Sequence, residues 1–452
     1  MTKFKLSEDQ EKAINKIKEF LKSRDIDFVL SGMAGAGKTY LLNLILDYVD
    51  SLGVDYCICA PTNKAKIILE EATGRKAVTV HSLLSMSPDV GSFKLDYKNL
   101  KFQSKDSDVM PQNGIIFVDE CSMINDEIHK LLIENCKKYE NKIIFLGDKR
   151  QLNPVKESFV SKTFKSKWSS ELNTVHRQSN KNLLLPIINN SRENYNSNFK
   201  EIIDENGSLY TFDNISDFIS SAVPLFQESI RKGDVDLVKI CCYTNARVEA
   251  YNKALRKIVF EDEAKNEYNK KEILTCYESS KSGDYKVSNS SDYIIKKVKP
   301  HNISIPNIGI FPGYIITIQG KRDLMGFPFY ILSKKISEND FKGIARIIEE
   351  IRMEAISLKN KNRQASARKW NEYFKIMESF ASPIDLIYDN RVIKKKTFDY
   401  GYAISTHKSQ GSGYKNVMVD MKDISICRNP EERRQLQYVA ISRTKKDLYI
   451  LQ

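Results

Sequence analysis

Short apolar runs that close on a glycine or an acidic residue recur through the first third of this 452-residue chain. They are FVLSG (28–32), YCICAP (56–61), IIFVDE (115–120) and KIIFLGD (142–148). Segments with helical apolar spacing alternate with them, over 7–22, 38–50, 62–72 and 125–138. Strands alternating with helices build a parallel sheet covered on both faces. Ligands of such sheets bind beyond the carboxyl ends of the strands, where this chain places glycine, aspartate and glutamate. A later set, LVKICCYTN (237–245), YAISTH (402–407), NVMVDM (416–421) and DLYILQ (447–452), predicts a second α/β domain of the same kind.

Between about 263 and 397 the pattern changes. Residues 293–333 are rich in β-branched and aromatic side chains with Gly and Pro turns, which predicts a small antiparallel barrel. Phe341, Ile344, Ile348, Ile351 and Ala355 then keep helical spacing. After KNKNR, Trp370, Tyr373, Phe374, Met377 and Ala381 do the same, so a helical hairpin packed on the barrel is expected. A smaller polar insertion over 85–112 carries Pro88, Gly91 and Pro111 with the aromatics Phe93, Tyr97 and Phe102. YNSNF and the serine-rich run 279–291 read as loops.

The formal net charge of +13 points to a polyanionic partner. No apolar run approaches the ~20 residues of a membrane span, and the start MTKFKLSEDQ is polar. A cytoplasmic protein without a membrane partner is therefore expected. The eight cysteines contain no CxxC pair. Cys57 and Cys59 point to one face of a strand, and Cys241 and Cys242 are adjacent, so reduced thiols are expected. The five histidines do not cluster with cysteines, which argues against a structural metal.

The most specific chemistry lies in Gly32-Met-Ala-Gly35-Ala-Gly37-Lys38-Thr39. It fits G-x-x-x-x-G-K-[ST], follows an apolar strand and opens a helix, the context of a phosphate-cradling loop. Glycines let backbone N–H groups converge on phosphate oxygens, and the helix N-terminus adds its dipole. Lys38 would reach the β- and γ-phosphates of ATP and Thr39 would hold Mg²⁺. Val118-Asp119-Glu120 supplies a second metal oxygen at Asp119 and a carboxylate, Glu120, placed to activate water. The amide of Gln151, in Gly147-Asp148-Lys-Arg-Gln151-Leu-Asn-Pro154, is suited to the γ-phosphate or that water. Arg177 and Arg443 are candidates to stabilise charge on the γ-phosphoryl group, worth about 10³–10⁵ in rate. Thr62, Asn63, His81 and Ser82, and later Tyr243, Asn245, Thr406, His407 and Lys408, follow strand ends of the two domains. Their hydroxyl, amide, imidazole, aromatic and ammonium groups suit a nucleic-acid track, although each taken singly serves equally as a cap or buried polar group.

Taken in order, these segments resemble superfamily 1 helicases of the RecD-like 1B branch, most closely the Dda helicases of T4-like phages. Ser7-Glu-Asp-Gln10 resembles the adenine-reading Q motif, GMAGAGKT motif I, Ala60-Pro-Thr62-Asn63-Lys-Ala-Lys66 motif Ia, and Thr79-Val-His81-Ser82 motif Ib. VDECSM resembles motif II, GDKRQLNP motif III, His176-Arg177-Gln178 motif IV, Thr406-His407-Lys408-Ser409-Gln410-Gly411 motif V and QYVAISRTK motif VI. Met33, Ala36, Cys121 and Met123 vary the surroundings of motifs I and II, and Asn63 stands where relatives often carry histidine.

The resemblance implies an α/β fold of two RecA-like P-loop motor domains with ATP and Mg²⁺ between them. The first would comprise 1–84 and 113–180, with a pin subdomain over 85–112 whose Phe102 meets a DNA fork. The second would comprise 181–262 and 398–452, with an SH3-like barrel and helical tower inserted over 263–397. It further implies a monomer translocating 5′→3′ on single-stranded DNA, acting on fork DNA beside single-strand-binding or replication proteins. A small-molecule P-loop kinase leaves the second domain without work, and an ATP-gated clamp has no use for Glu120. An RNA motor is separated from a DNA motor only by the resemblance.

Overall fold

The computed structural model describes residues 6–33, 35–88, 102–104, 110–154, 157, 159–174, 183–283, 285–321 and 323–452. Arg177, Phe93 and Tyr97 lie outside the described residues. Phe102 is described in its backbone alone.

The first sheet has six strands, all parallel where they pair. In spatial order they are Ala77–Thr79, Tyr56–Ala60, Ile115–Val118, Lys142–Gly147, Asp27–Gly32 and Trp168–Leu172. Alternation along each strand explains why both faces are covered. Phe28, Leu30, Ile115, Phe117, Ile144 and Leu146 face one core with Ala13, Ile17, Phe20, Leu41, Ile45 and Leu69. Val29, Ile116, Val118, Ile143 and Phe145 face another with Leu83, Ile128, Leu132 and Cys136. The covering helices, Glu8–Lys22, Lys38–Ser51, Asn63–Thr73 and Asp126–Lys138, follow the apolar periodicity closely. Trp168–Leu172 was not legible as a strand, because its sequence WSSEL lacks an apolar run.

The second sheet has five strands in the order Ala403–Ser405, Val238–Cys242, Tyr414–Asp420, Thr444–Leu451 and Leu209–Phe212, again parallel. Cys241, Val417, Val419, Leu448 and Ile450 face one core, and Ile240, Cys242, Met418 and Leu451 the other.

The third sheet is antiparallel, in the order Phe327–Leu332, Gly309–Gly320, Asp292–Ile305, Ile273–Cys276 and Phe398–Tyr400. The barrel expectation is met by a curled sheet with two ends: Phe329 and Phe398, from the two outermost strands, stack edge to face at 5.5 Å. Phe398–Tyr400, assigned from sequence to the second motor domain, is an edge strand of this sheet. The hairpin is formed by Glu338–Leu358 and Arg363–Ser379. Ile344, Ile348, Ile351, Tyr373 and Ile376 pack on Ile303, Ile305 and Leu332 of the sheet. The serine-rich stretch expected as a loop instead forms a two-stranded hairpin, Ser280–Ser282 with Tyr285–Val287. In the small insertion, Met86–Pro88 pairs antiparallel with Phe102–Ser104, Pro88 opposite Phe102.

Two buried junctions join these bodies. The loop after Lys142–Gly147 enters the second domain, where Leu152 packs with Leu184, Ile188, Leu436 and Tyr438. Lys239, in the second domain's strand Val238–Cys242, meets Asp292 of the third sheet at 3.1 Å. Its ammonium also donates to the Gly401 carbonyl at 2.6 Å, and Asp292 accepts from the Thr275 hydroxyl at 2.5 Å. Removing one partner of a buried pair leaves an uncompensated charge and costs about 3–5 kcal/mol. Lys239→Met should lower stability by that amount, read from urea unfolding by Trp370 fluorescence in a Trp168→Phe background. An unchanged midpoint would show that the pair does not hold the insertion to the motor.

Candidate functional site

The phosphate-loop residues sit where three adjacent strands end. Asp27–Gly32 leads into Gly32–Thr39, Lys142–Gly147 lies beside it, and Ile115–Val118, leading to Asp119 and Glu120, comes next. Two inter-strand spacings, about 10 Å, therefore bracket the site. Gly35 and Gly37 have φ of 85° and 81°, the left-handed region where a side chain would be strained. That turn lets the loop double back before Lys38 opens the helix Lys38–Ser51. The Lys38 ammonium donates to the Gly32 and Met33 carbonyls at 2.7 and 3.1 Å. Thr39 lies in the first turn of the same helix.

Gln10 is buried and donates its amide to the Ala36 carbonyl at 3.3 Å, while accepting from the Ser7 N–H at 3.2 Å. The Q-like segment thus touches the phosphate loop directly. Its neighbour Asp9 was not singled out from sequence. Against a burial penalty, hydrogen bonds from the Ser7 hydroxyl and the backbone N–H groups of Thr174 and Asn173 hold Asp9 down at about 2. Asp9 thereby ties the helix start to the chain leaving Trp168–Leu172.

Asp119 and Glu120 form a half-buried carboxylate pair. Burial first, and the adjacent Glu120 charge second, raise Asp119 to about 6, opposed by the Glu120 N–H and by Lys38. Oxygen donors at Thr39 and Asp119 suit a hard divalent cation, whose charge would relieve this repulsion. Glu120 itself has φ 51° and caps the short turn Cys121–Met123. A non-glycine residue held in the left-handed region costs of order 1–3 kcal/mol, and such strain concentrates at functional sites. Sequence spacing carries no sign of it.

Gln151 is buried, and among the described residues its Oε1 has no hydrogen-bond partner. It lies between two contacts to the other domain. Asp148, fully buried, accepts from the Tyr438 hydroxyl at 2.6 Å and from Arg192 at 3.4 Å. Leu152 enters the second domain's core, and Asn153 accepts from the Gln435 amide at 3.3 Å. Asp148 and Tyr438 both fall inside motifs quoted from sequence, but no spacing rule pairs them.

Arg443, expected across the cleft, is docked on its own domain. Its guanidinium donates to the Val439 and Ser412 carbonyls at 3.0 and 3.2 Å and to the Ser442 hydroxyl at 2.9 Å. It stands five residues after Tyr438, in the turn just past the helix Pro430–Ile441 that meets Asp148.

The track residues divide. Thr62 caps the helix Asn63–Thr73 by accepting from the Ala65 N–H at 3.1 Å, and Asn63 is that helix's first residue. Ser82 donates its N–H to Thr79 in a cap of the next turn, and burial lowers the pKa of His81. Thr406 is a correction: it is fully buried and donates to the Cys242 carbonyl at 3.0 Å, so it supports the strand end instead of facing a ligand. Tyr243 and His407 stack at 6.2 Å on the same rim. The Tyr243 N–H is held by Asp423 at 2.7 Å, and Asn245 begins the helix Asn245–Phe260 behind it. Burial lowers the His407 pKa, although Glu432 lies 3.6 Å away. The two halves approach each other: Lys64 donates to the Tyr414 hydroxyl at 3.3 Å.

Comparison with known proteins agrees with this geometry. An AAA domain matches residues 5–213, and a UvrD-like helicase C-terminal domain matches 400–451. The chain is 27% identical to an uncharacterised protein of Acanthamoeba polyphaga mimivirus, over 97% of this chain and 98% of that one. It is 30% identical to the ATP-dependent DNA helicase Dda of Enterobacteria phage T4, over 58% of this chain and 59% of that one. It is 32% identical to the ATP-dependent RecD2 DNA helicase of Deinococcus radiodurans, over 35% of this chain and 20% of that one. A Pif1 helicase from Bacteroides, solved with ADP-AlF3 and single-stranded DNA, shares the fold. Its TM-score is 0.51 at 16% identity, covering 99% of this chain and 92% of that one. The two matched segments lie in this order on two parallel sheets, and over 58% of its length the chain is similar to an ATP-dependent DNA helicase.

Proposed function

We propose that this chain is an ATP-dependent DNA helicase that moves 5′→3′ along a single strand and separates duplex DNA. The observation that carries the reading is the convergence of Lys38, Asp119, Glu120 and Gln151 on neighbouring strand ends, against the helix that bears Tyr438 and is followed by Arg443. The direction of travel is carried by the superfamily 1B resemblance.

In this reading Gly35, Gly37 and Lys38 hold the phosphates of ATP, and Gln10 sits beside the base. Thr39 and Asp119 would hold Mg²⁺, which would supply positive charge to offset that of the phosphates. Glu120 accepts the proton of the attacking water. Gln151 orients that water or the γ-phosphate, with its free Oε1 turned to an acceptor role. Arg443, released from Val439 and Ser412, bridges the γ-phosphate when the domains close. Arg177 is the second candidate for that charge. The rim formed by Asn63, His81, Ser82, Tyr243, His407 and Lys408 binds the strand, and Phe102 splits the fork.

The deciding experiment is ATP turnover alone, with single-stranded DNA and with RNA. Strong stimulation by DNA supports the reading, stimulation by RNA alone replaces it with an RNA motor, and no stimulation by either removes it. In the same assay Glu120→Gln should retain ATP binding and lose about 10²–10⁴-fold in turnover, the scale of a lost general base. Turnover within a few-fold of wild type would move that role to another group.

Arg443→Lys should be nearly as damaging as Arg443→Ala, because a planar guanidinium bridges two phosphate oxygens and an ammonium is a single point charge. Steady-state ATPase with and without single-stranded DNA checks it. Retained DNA stimulation in Arg443→Lys would reduce the residue to general positive charge and favour Arg177.

Phe102→Ala should damage strand separation more than DNA-stimulated ATPase, since stacking of a base on an aromatic ring is worth about 1–3 kcal/mol. Unwinding of a forked duplex measured beside ATPase on the same preparation tests this. Equal loss of both would make Phe102 a packing residue.

A further inference from the structure

Motif V meets the third sheet at a lysine and a tyrosine. The Lys408 ammonium lies 3.4 Å from the centre of the Tyr277 ring, and the Lys396 ammonium lies 4.8 Å from the same ring. Tyr277 directly follows the strand Ile273–Cys276, and its N–H donates to the Thr397 carbonyl at 2.8 Å. The ring is therefore mounted on the sheet and not on a free loop. Lys395 is exposed and Lys396 half-buried, in the run Lys394-Lys395-Lys396 that leads into Phe398–Tyr400.

The charges around this spot are unbalanced. Those facing Lys408 are Lys396, Lys395, the Cys276 thiol and Asp399. Asp399 is engaged by Lys396 at 2.6 Å, and Glu278, next to Tyr277, faces Lys394 and Lys395. Among the described residues Lys408 has the aromatic face and no ion pair. A ring face is a weak substitute for an anion. Burial, then repulsion from Lys396 and Lys395, pull Lys408 down to about 8. A phosphodiester group has the charge and the oxygen acceptors that would reverse both effects.

We propose that Tyr277, Lys395 and Lys396 of the inserted sheet complete, with Lys408 of motif V, a composite site for one or two phosphodiester groups of a single strand. The site rests on the nucleic-acid track proposed above and extends it from the motor onto the insertion. Tyr277 is its positioning residue: it holds the Lys408 ammonium against the third sheet, so that one phosphate is gripped by both bodies. The insertion then moves with the strand as the second domain moves. Packing of the helical hairpin on the other side of the sheet would be the only role left to it otherwise.

The test is binding of a fluorescent oligothymidylate to the full chain by anisotropy, across salt concentration and pH. Each phosphate neutralised on a single strand contributes about 0.7 to the log–log salt slope. Lys395→Ala with Lys396→Ala should make the slope shallower by about 0.7–1.4 and weaken binding about tenfold or more. The exposed Lys395→Glu variant gives the same sign should the double variant fold poorly. Lys408 binds phosphate in its protonated form, so wild-type affinity is complete below pH 8 and declines as pH rises through that value. Lys408→Arg stays charged and should remove the decline. Tyr277→Phe keeps the ring and should bind as wild type, whereas Tyr277→Leu should weaken binding. Wild-type binding with slope and pH response unaltered in all these variants would overturn the composite site and leave the motor reading intact. A wild type that neither binds the strand nor shows stimulated ATPase would overturn both.

Discussion

Everything that two motor domains can do together here depends on how one buried carboxylate is satisfied. Asp148 is fully buried, and its acceptors are filled by the Tyr438 hydroxyl and Arg192. An unpaired carboxylate in that position would be costly, so the geometry between the Gly147–Pro154 segment and the helix Pro430–Ile441 is well specified. Arg192 is shared with Glu171 at 3.3 Å, at the end of a strand of the first sheet. Arg434 reaches back to the Arg192 carbonyl, and Gln437 donates to Ser191 at 3.1 Å. The network is continuous from the first sheet to the helix Pro430–Ile441, whose C-terminal turn leads into Arg443.

This arrangement places the nucleotide chemistry and the interdomain contact on the same short loop. Gln151 is three residues from Asp148 and one from Leu152. A change in what Gln151 touches cannot be absorbed locally, because the residues on both sides of it are locked into the second domain. Arg443, at the far end of the Tyr438 helix, holds three hydrogen bonds within its own domain that must be exchanged before it can reach a phosphate.

The Asp119–Glu120 pair shows a second kind of constraint. The chain turns through a left-handed residue at Glu120 so that two consecutive side chains leave the strand end on useful sides. Burial first, and repulsion from Glu120 second, raise the pKa of Asp119. A cation and a polarised water are the natural partners of such a pair, and the strain is kept by the packing of Cys121 and Phe164 around Gly147.

Much of this was written in local pattern. The apolar runs at 28–32, 56–61, 115–120 and 142–148 became neighbouring strands because β-branched and aromatic alternation buries both faces of a sheet wherever it occurs. The phosphate loop was legible because its glycines, lysine and threonine act through adjacent backbone. Strand WSSEL and the edge strand at 398–400 were not, since their partners are distant in the chain, and the local hairpin at 280–287 was not because its serine- and lysine-rich strands lack an apolar run. The same holds for side chains. Sequence singled out the candidates for the chemistry: Lys38, Asp119, Glu120, Gln151 and Arg443. Tertiary structure alone decided that Thr406 faces inward, that Tyr277 receives Lys408, and that Asp148 finds Tyr438 290 positions away. Those contacts join segments far apart in the chain, and no local periodicity encodes which polar group will meet which in a buried setting.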